Sequence, residues 1–96
     1  EGARLRAELA QAHARLTAAL GECALIADEV LPGAEDAQRA ASRGFELGKF
    51  GLIDVLDAQR VLAQSKNQYL NAVAESHRAA ADIARLLGHA AVQENP

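Results

Sequence analysis

Asp54 and Asp57 carry the clearest chemical signal in this sequence. They lie three residues apart, so on one helix their carboxylates project from neighbouring positions on the same face. Spacing alone favours a local role, in which Asp54 caps a helix and Asp57 strengthens its negative first turn.

Cys23 and His77 are the other side chains whose chemistry stands out. Folding the chain about a turn at 48–51 brings Cys23 opposite the neighbourhood of His77, and a thiolate with an imidazole could hold a soft or borderline metal. Cys23, however, occupies an apolar seam where a small thiol packs well, and His77 shares a heptad row with Leu70 and Ala84. We therefore expect buried packing and predict no metal site and no cofactor.

Catalysis and nucleic-acid binding are both disfavoured. Ser42, Ser65 and Ser76 sit in helical stretches without a glycine-rich elbow, and no phosphate-cradling loop or zinc spacing is present. The net charge is -3, and lysine and arginine are scattered rather than clustered. We predict neither an enzyme nor a nucleic-acid-binding protein.

The composition indicates helices packed along a seam rather than a compact core. The chain has two Phe, one Tyr, no Trp and no Met, and about a quarter of its residues are alanine. Small alanine side chains let helix backbones approach closely over a long distance. Uninterrupted apolar stretches are far shorter than the roughly 18 residues of a membrane-spanning helix, and no signal peptide is predicted.

The first helix is predicted from a heptad seam with a proline at its end. Apolar residues alternate in steps of three and four at Leu5, Leu9, Ala12, Leu16, Ala19, Cys23, Ile26 and Val30. Pro32 lacks an amide donor and its ring clashes with the preceding turn, which predicts a kink or short break at 31–33. Helical character returns from residue 34 to 47.

A glycine-rich tip and a second helix follow. Gly44, Gly48 and Gly51 predict a turn between residues 48 and 53, after which Asp54 is a plausible cap. The second helix is predicted to end at Gly88. Its seam is predicted from two rows, one of Val55, Leu62, Tyr69 and Ile83, the other of Leu56, Ala63, Leu70 and Ala84.

Together these elements predict an all-α fold, a long antiparallel, coiled-coil-like helical hairpin. The hairpin is predicted to occupy residues 1–88, and residues 89–96 are predicted to be a disordered tail. Two helices bury only one side of each other, and alanines spread around the second helix. We therefore expect partner helices and self-association of the chain.

The stretch from Gly44 to Arg60 resembles the signature of the TolC-like outer-membrane efflux family. The resemblance lies in an aromatic residue followed three residues later by glycine, and then in Asp-Val-Leu-Asp-Ala-Gln-Arg at 54–60. The segments Tyr-Leu-Asn-Ala at 69–72 and Ala-Arg-Leu-Leu-Gly at 84–88 also resemble that family. The sequence at 74–79 is most similar to that of the heavy-metal branch of the family, the cobalt-zinc-cadmium type.

The resemblance implies a homotrimer of Gram-negative bacteria, in which helical hairpins close a periplasmic tunnel below an outer-membrane barrel. This chain would supply one hairpin of a longer protein. Its tip would meet a periplasmic adaptor protein and an inner-membrane RND pump, and the cargo would be metal cations or other toxic small molecules. Three copies of Asp54 and Asp57 would then form rings of negative charge at a pore constriction.

The tip departs from the pattern of some relatives. Where they hold a tyrosine that ties the closed tip by a hydrogen bond, Phe45 has no hydroxyl, and where they place an arginine before the acidic pair, this chain has Phe50 beside Lys49. Phe45 and Phe50 could gate or dock through apolar contact instead. Two alternatives stay open: an antiparallel coiled-coil assembly module without a transport role, and a metal-sensing helical bundle based on Cys23 and the histidines.

Overall fold

The computed structural model describes residues 2–94, which are helical apart from one short turn. Helix α1 spans Gly2–Leu25, a π-helical turn follows at Ile26–Val30, α2 spans Leu31–Glu46, and α3 spans Leu52–Glu94. No strand is present between residues 2 and 94. The predicted all-α antiparallel hairpin is therefore confirmed.

The chain divides into two compact units. Of the described residues, the first contains 2–22 and 72–94, and the second contains 23–71. The core of the first unit consists of Ala12, Ile83 and Leu86, with Leu5, Leu9 and Leu16 packed against it. In the second unit the buried apolar residues are Ile26, Ala34, Ala41 and Val55.

The heptad seam of the first helix is confirmed. All eight apolar positions predicted between Leu5 and Val30 are buried or half-buried. Cys23 is one of them and is half-buried, as expected for a small thiol in a seam.

On α3 the first predicted row is confirmed, but the second is wrong. Leu56, Ala63, Leu70 and Ala84 are all exposed. The partner row lies three residues after the first one, with Ala58 half-buried and with Ser65, Ala72, Ala79 and Leu86 buried. A seam alternates steps of three and four residues, whereas a residue one step along a helix projects about 100° away.

Two of the buried seam positions are serines, and their hydroxyls are satisfied within α3 itself. Ser65 Oγ donates to the carbonyl oxygen of Val61 at 2.9 Å, and Ser76 Oγ donates to that of Val73 at 2.7 Å. Bonds of this kind let a serine replace an alanine in the seam without leaving an unpaired polar atom.

The helix does not break at 31–33, but its hydrogen-bonding pattern is irregular just before Pro32. Pro32 lies in the first turn of α2, where a missing amide is tolerated. The turn before it is π-helical, and the N–H of Leu31 donates to the carbonyl of Ile26, five residues earlier. The seam also changes here, because it advances by four residues from Ile26 to Val30 and again from Val30 to Ala34.

The predicted end of the second helix at Gly88 is wrong, and residues 89–94 of the predicted disordered tail are helical. Gly48 is the glycine with a positive φ within residues 2–94, so Gly88 does not adopt the left-handed conformation that terminates helices. The packing register also continues past it, since Ala90 is half-buried, four residues after Leu86. The rest of the predicted tail, 95–96, lies outside the described residues.

None of the helices described between residues 2 and 94 is both long enough and apolar enough to pass through a membrane.

Candidate functional site at the hairpin tip

The turn that follows α2 is a helix-terminating motif built on Gly48. The N–H of Gly48 donates to the carbonyl of Phe45 at 3.0 Å, and the N–H of Lys49 donates to that of Gly44 at 2.7 Å. Gly48 has a φ of 74°, the left-handed conformation that a side chain disfavours. This pair of bonds defines a Schellman motif, which satisfies the last carbonyls of α2.

Gly44 is the point around which the turn closes. Its carbonyl accepts a second bond, from the N–H of Phe50 at 3.1 Å, and the ring of Phe50 lies directly against its Cα. A Cβ at residue 44 would sit 2.8 Å from Cγ of Phe50 and closer still to Cδ2 and Cε2. Only glycine fits there while the ring keeps its place.

Asp54 does act on the start of the next helix, although from a different position than predicted. Helix α3 begins at Leu52, so Gly51 precedes the helix and Asp54 is its third residue. Asp54 Oδ2 accepts the N–H of Gly51 at 2.9 Å, and the N–H of Asp54 donates to the carbonyl of Gly51 at 3.1 Å. This is the carboxylate half of a capping box.

Asp57 has a different partner. Its Oδ1 atom accepts a hydrogen bond from Arg60 Nη2 at 2.6 Å, an ion pair between residues three apart on α3. Both acidic residues are exposed, as is Lys49. The tip therefore has two carboxylates in different states, one turned back to the backbone and one paired with a guanidinium.

The tip also exposes large apolar side chains. Ile53 is 76% exposed, Leu47 64% and Leu52 55%, while Phe45 and Phe50 are about half exposed. Sequence reasoning singled out the two phenylalanines and missed the three aliphatic residues. The signal that could have identified them is the density of apolar residues within a turn, where polar residues normally prevail.

A charged cluster in the first unit was also missed. Arg15 Nη1 donates to Asp82 Oδ2 at 2.7 Å, and Arg15 Nη2 donates to Glu75 Oε1 at 3.0 Å. Arg78 adds a bond to Glu75 at 3.1 Å. Hydrogen bonds from Arg15 lower the pKa of Glu75 and of Asp82, and the same bonds, first that to Asp82, raise the pKa of Arg15.

The possible metal ligands do not form a recognisable centre. Cys23 is half-buried in the seam of the second unit, whereas His77 belongs to the first unit and is exposed. The expected burial of His77 is therefore wrong, because its heptad row, shared with Leu70 and Ala84, lies on the exposed face of α3. Within the described part of the chain, no three histidine, cysteine, aspartate or glutamate side chains are grouped so that they could hold an ion.

The helical hairpin and the sequence of its tip resemble those of one class of protein, the outer-membrane efflux proteins. The chain matches the family Outer membrane efflux protein over residues 3–89, nearly its whole length, and it belongs to that family.

A curated relative is similar over most of the chain. It is the cobalt-zinc-cadmium resistance protein CzcC of Cupriavidus metallidurans, which is 43% identical over 84 residues. The alignment covers 88% of this chain but 20% of the relative, so the chain spans about a fifth of that protein's length. The similarity supports the heavy-metal branch of the family. No solved structure gives a significant match.

Proposed function

We propose that this chain is a periplasmic tunnel segment of the outer-membrane channel of a tripartite efflux system, and that its tip docks the adaptor protein and the RND pump. The observation that carries the proposal is the tip itself. Ile53, Leu52 and Leu47 stand exposed on a turn that two hydrogen-bonded motifs hold in shape. Exposed aliphatic side chains on an ordered turn suit a protein interface, since their burial drives association.

In the intact channel three copies of the hairpin tip would surround one pore. Asp54 and Asp57 of each copy would then contribute to a constriction with a negative ring, and Phe45, Lys49 and Phe50 would lie beside it. Asp54 keeps one carboxylate oxygen for a cation after the other binds Gly51, whereas Arg60 partly neutralises Asp57. A ring with these properties would attract cations weakly enough to release them.

The proposed cargo is divalent metal cations, because the similar protein CzcC carries cobalt, zinc and cadmium resistance in its name. Here the metal is cargo that passes along the tunnel. We propose no metal-binding role for Cys23 and His77, since Cys23 is half-buried and His77 is exposed in a different unit.

A resistance assay tests the docking role. The full-length protein carrying Leu52→Ser and Ile53→Ser should reach the outer membrane but lose resistance to cobalt, zinc and cadmium. Val61→Ser is the matched control, because Val61 is an exposed apolar residue of the same helix, 40% exposed and two turns from the tip. If the tip variant keeps full resistance, docking through these residues is wrong, and a coiled-coil assembly role without transport becomes the better account.

A further inference from the structure

Gly44 differs from the other glycines of the long helices in what surrounds it. A Cβ added at Gly21, Gly33 or Gly88 would meet nothing within 4 Å, whereas one at Gly44 would collide with the ring of Phe50. Gly44 is also buried, although it lies only two residues before the end of α2. The ring thus occupies the space that a side chain at residue 44 would need.

We propose that Phe50 is a positioning residue whose ring, seated on Gly44, locks the tip in one conformation before any partner binds. The consequence for docking rests on the proposed function above, while the lock itself does not. The lock joins the two ends of the turn, because Gly44 belongs to α2 and Phe50 directly precedes Gly51, the residue immediately before α3. A displacement of Phe50 would also displace Gly51 and the first turn of α3.

The lock determines how the exposed aliphatic residues are presented. Leu52 and Ile53 follow Gly51 directly, and the bond from Gly51 to Asp54 continues the ordered backbone into α3. A turn that is already ordered loses less conformational entropy when a partner binds than a mobile one does. Phe50 would therefore strengthen docking through order as well as through any contact of its own.

A double-mutant cycle on this chain tests the lock. Gly44→Ala should lower the thermal midpoint in the parent, since the added methyl displaces the ring. In a Phe50→Ala background the same change should raise the midpoint, because alanine is a better helix former than glycine and the ring no longer occupies that space. Gly33→Ala is the matched control in α2, and it should raise the midpoint by a similar amount in both backgrounds.

Hydrogen exchange separates a positioning role from general stability. Phe50→Ala should accelerate hydrogen exchange at the backbone amides of residues 49–51 by about tenfold or more. Amides of the first unit should keep the exchange rates of the parent. If Gly44→Ala has the same sign in both backgrounds, or if exchange at the tip does not change, the lock is overturned.

The resistance assay then distinguishes this proposal from the docking proposal. Gly44 is buried, so Gly44→Ala alters the tip without removing a side chain that could touch a partner. It should lower metal resistance in the full-length protein as Phe50→Ala does. If the Leu52 and Ile53 variant loses resistance while Gly44→Ala and Phe50→Ala keep it, docking stands and the positioning role is wrong. If none of these variants changes resistance, the docking proposal itself has failed.

Discussion

Arg15 bridges Glu75 and Asp82, two carboxylates that lie one heptad apart on α3. A single planar guanidinium with several donors can hold both at once, which a lysine could not do with the same geometry. Sliding one helix by a turn would break at least one of the two ion pairs. The bridge therefore helps to set the register of alanine-rich surfaces, which by themselves discriminate poorly between registers.

Acid should destabilise the first unit through this bridge. Glu75 and Asp82 have pKa values lowered from their ordinary 4.5 and 3.8, so the unfolded chain binds protons before the folded chain does. The folding stability that these two carboxylates contribute is fully present at a pH above their ordinary pKa values. It is lost as the pH falls through their lower pKa values in the folded state. Thermal unfolding followed from pH 7 to acid pH should show a midpoint that starts to fall near pH 4.5.

The matched variants for this prediction are Arg15→Gln and Arg4→Gln. Arg4 forms an exposed pair with Glu8 at 3.6 Å within one helix, so its removal should leave the acid dependence intact. Arg15→Gln should lower the midpoint at pH 7 and flatten its acid dependence. An acid dependence that is identical in Arg15→Gln and in the parent would contradict the assignment to this cluster.

Asp54 and Asp57 should differ in how much each contributes to folding stability. In the intact channel they should act together on the conduction of cations. Asp54→Ala removes the acceptor for Gly51 and should cost about 0.3 to 1 kcal/mol of folding stability, whereas Asp57→Ala loses only an exposed ion pair and should cost less. In the full-length channel, changing both to Asn should reduce cation selectivity and block by multivalent cations. Single-channel recording that shows both properties unchanged would leave these residues with a helix-start role alone.

The sequence predicted those parts of the hairpin that depend on local pattern. The row of Val55, Leu62, Tyr69 and Ile83 was visible because these residues are large and recur every seven positions. Its partner row was not recognised because it contains Ser65 and small alanines. The larger side chains of Leu56 and Leu70, which are exposed, indicated the wrong row instead. Hydrophobicity alone could not separate a buried seam from a second apolar face.

Other features depend on relationships that one sequence does not display. The bridge from Arg15 to Asp82 requires the register between two helices, and the contact of Phe50 with Gly44 requires the path of the turn. Gly88 was misjudged because a glycine signals a helix end only where the chain adopts a positive φ.

The π-helical turn should depend on Pro32. A deletion of Asp28, an exposed residue of that turn, would draw the proline into an ordinary α-helical turn, where its ring meets the carbonyl four residues earlier. That arrangement costs about 3 kcal/mol or more. The deletion should thus be strongly destabilising in the parent and better tolerated with Pro32→Ala, as measured by circular dichroism during heating. If the deletion lowers stability equally in the two backgrounds, the π-helical turn is not needed to accommodate Pro32.

The exposed row on the second unit should drive self-association of the chain. Leu70 is 62% exposed and Leu56 49%, and Ala63 lies exposed between them on the same face of α3. Burying such leucines against another helix removes apolar surface from water, and fully burying one is worth about 1.5 to 3 kcal/mol. Leu56→Gln with Leu70→Gln should therefore weaken association by at least about tenfold in sedimentation experiments, with the helical content preserved. Val61→Gln is the control, because Val61 is an exposed apolar residue outside this row. A parent chain that stays monomeric at micromolar concentrations, or a control that dissociates as readily as the double variant, would contradict an interface on this row.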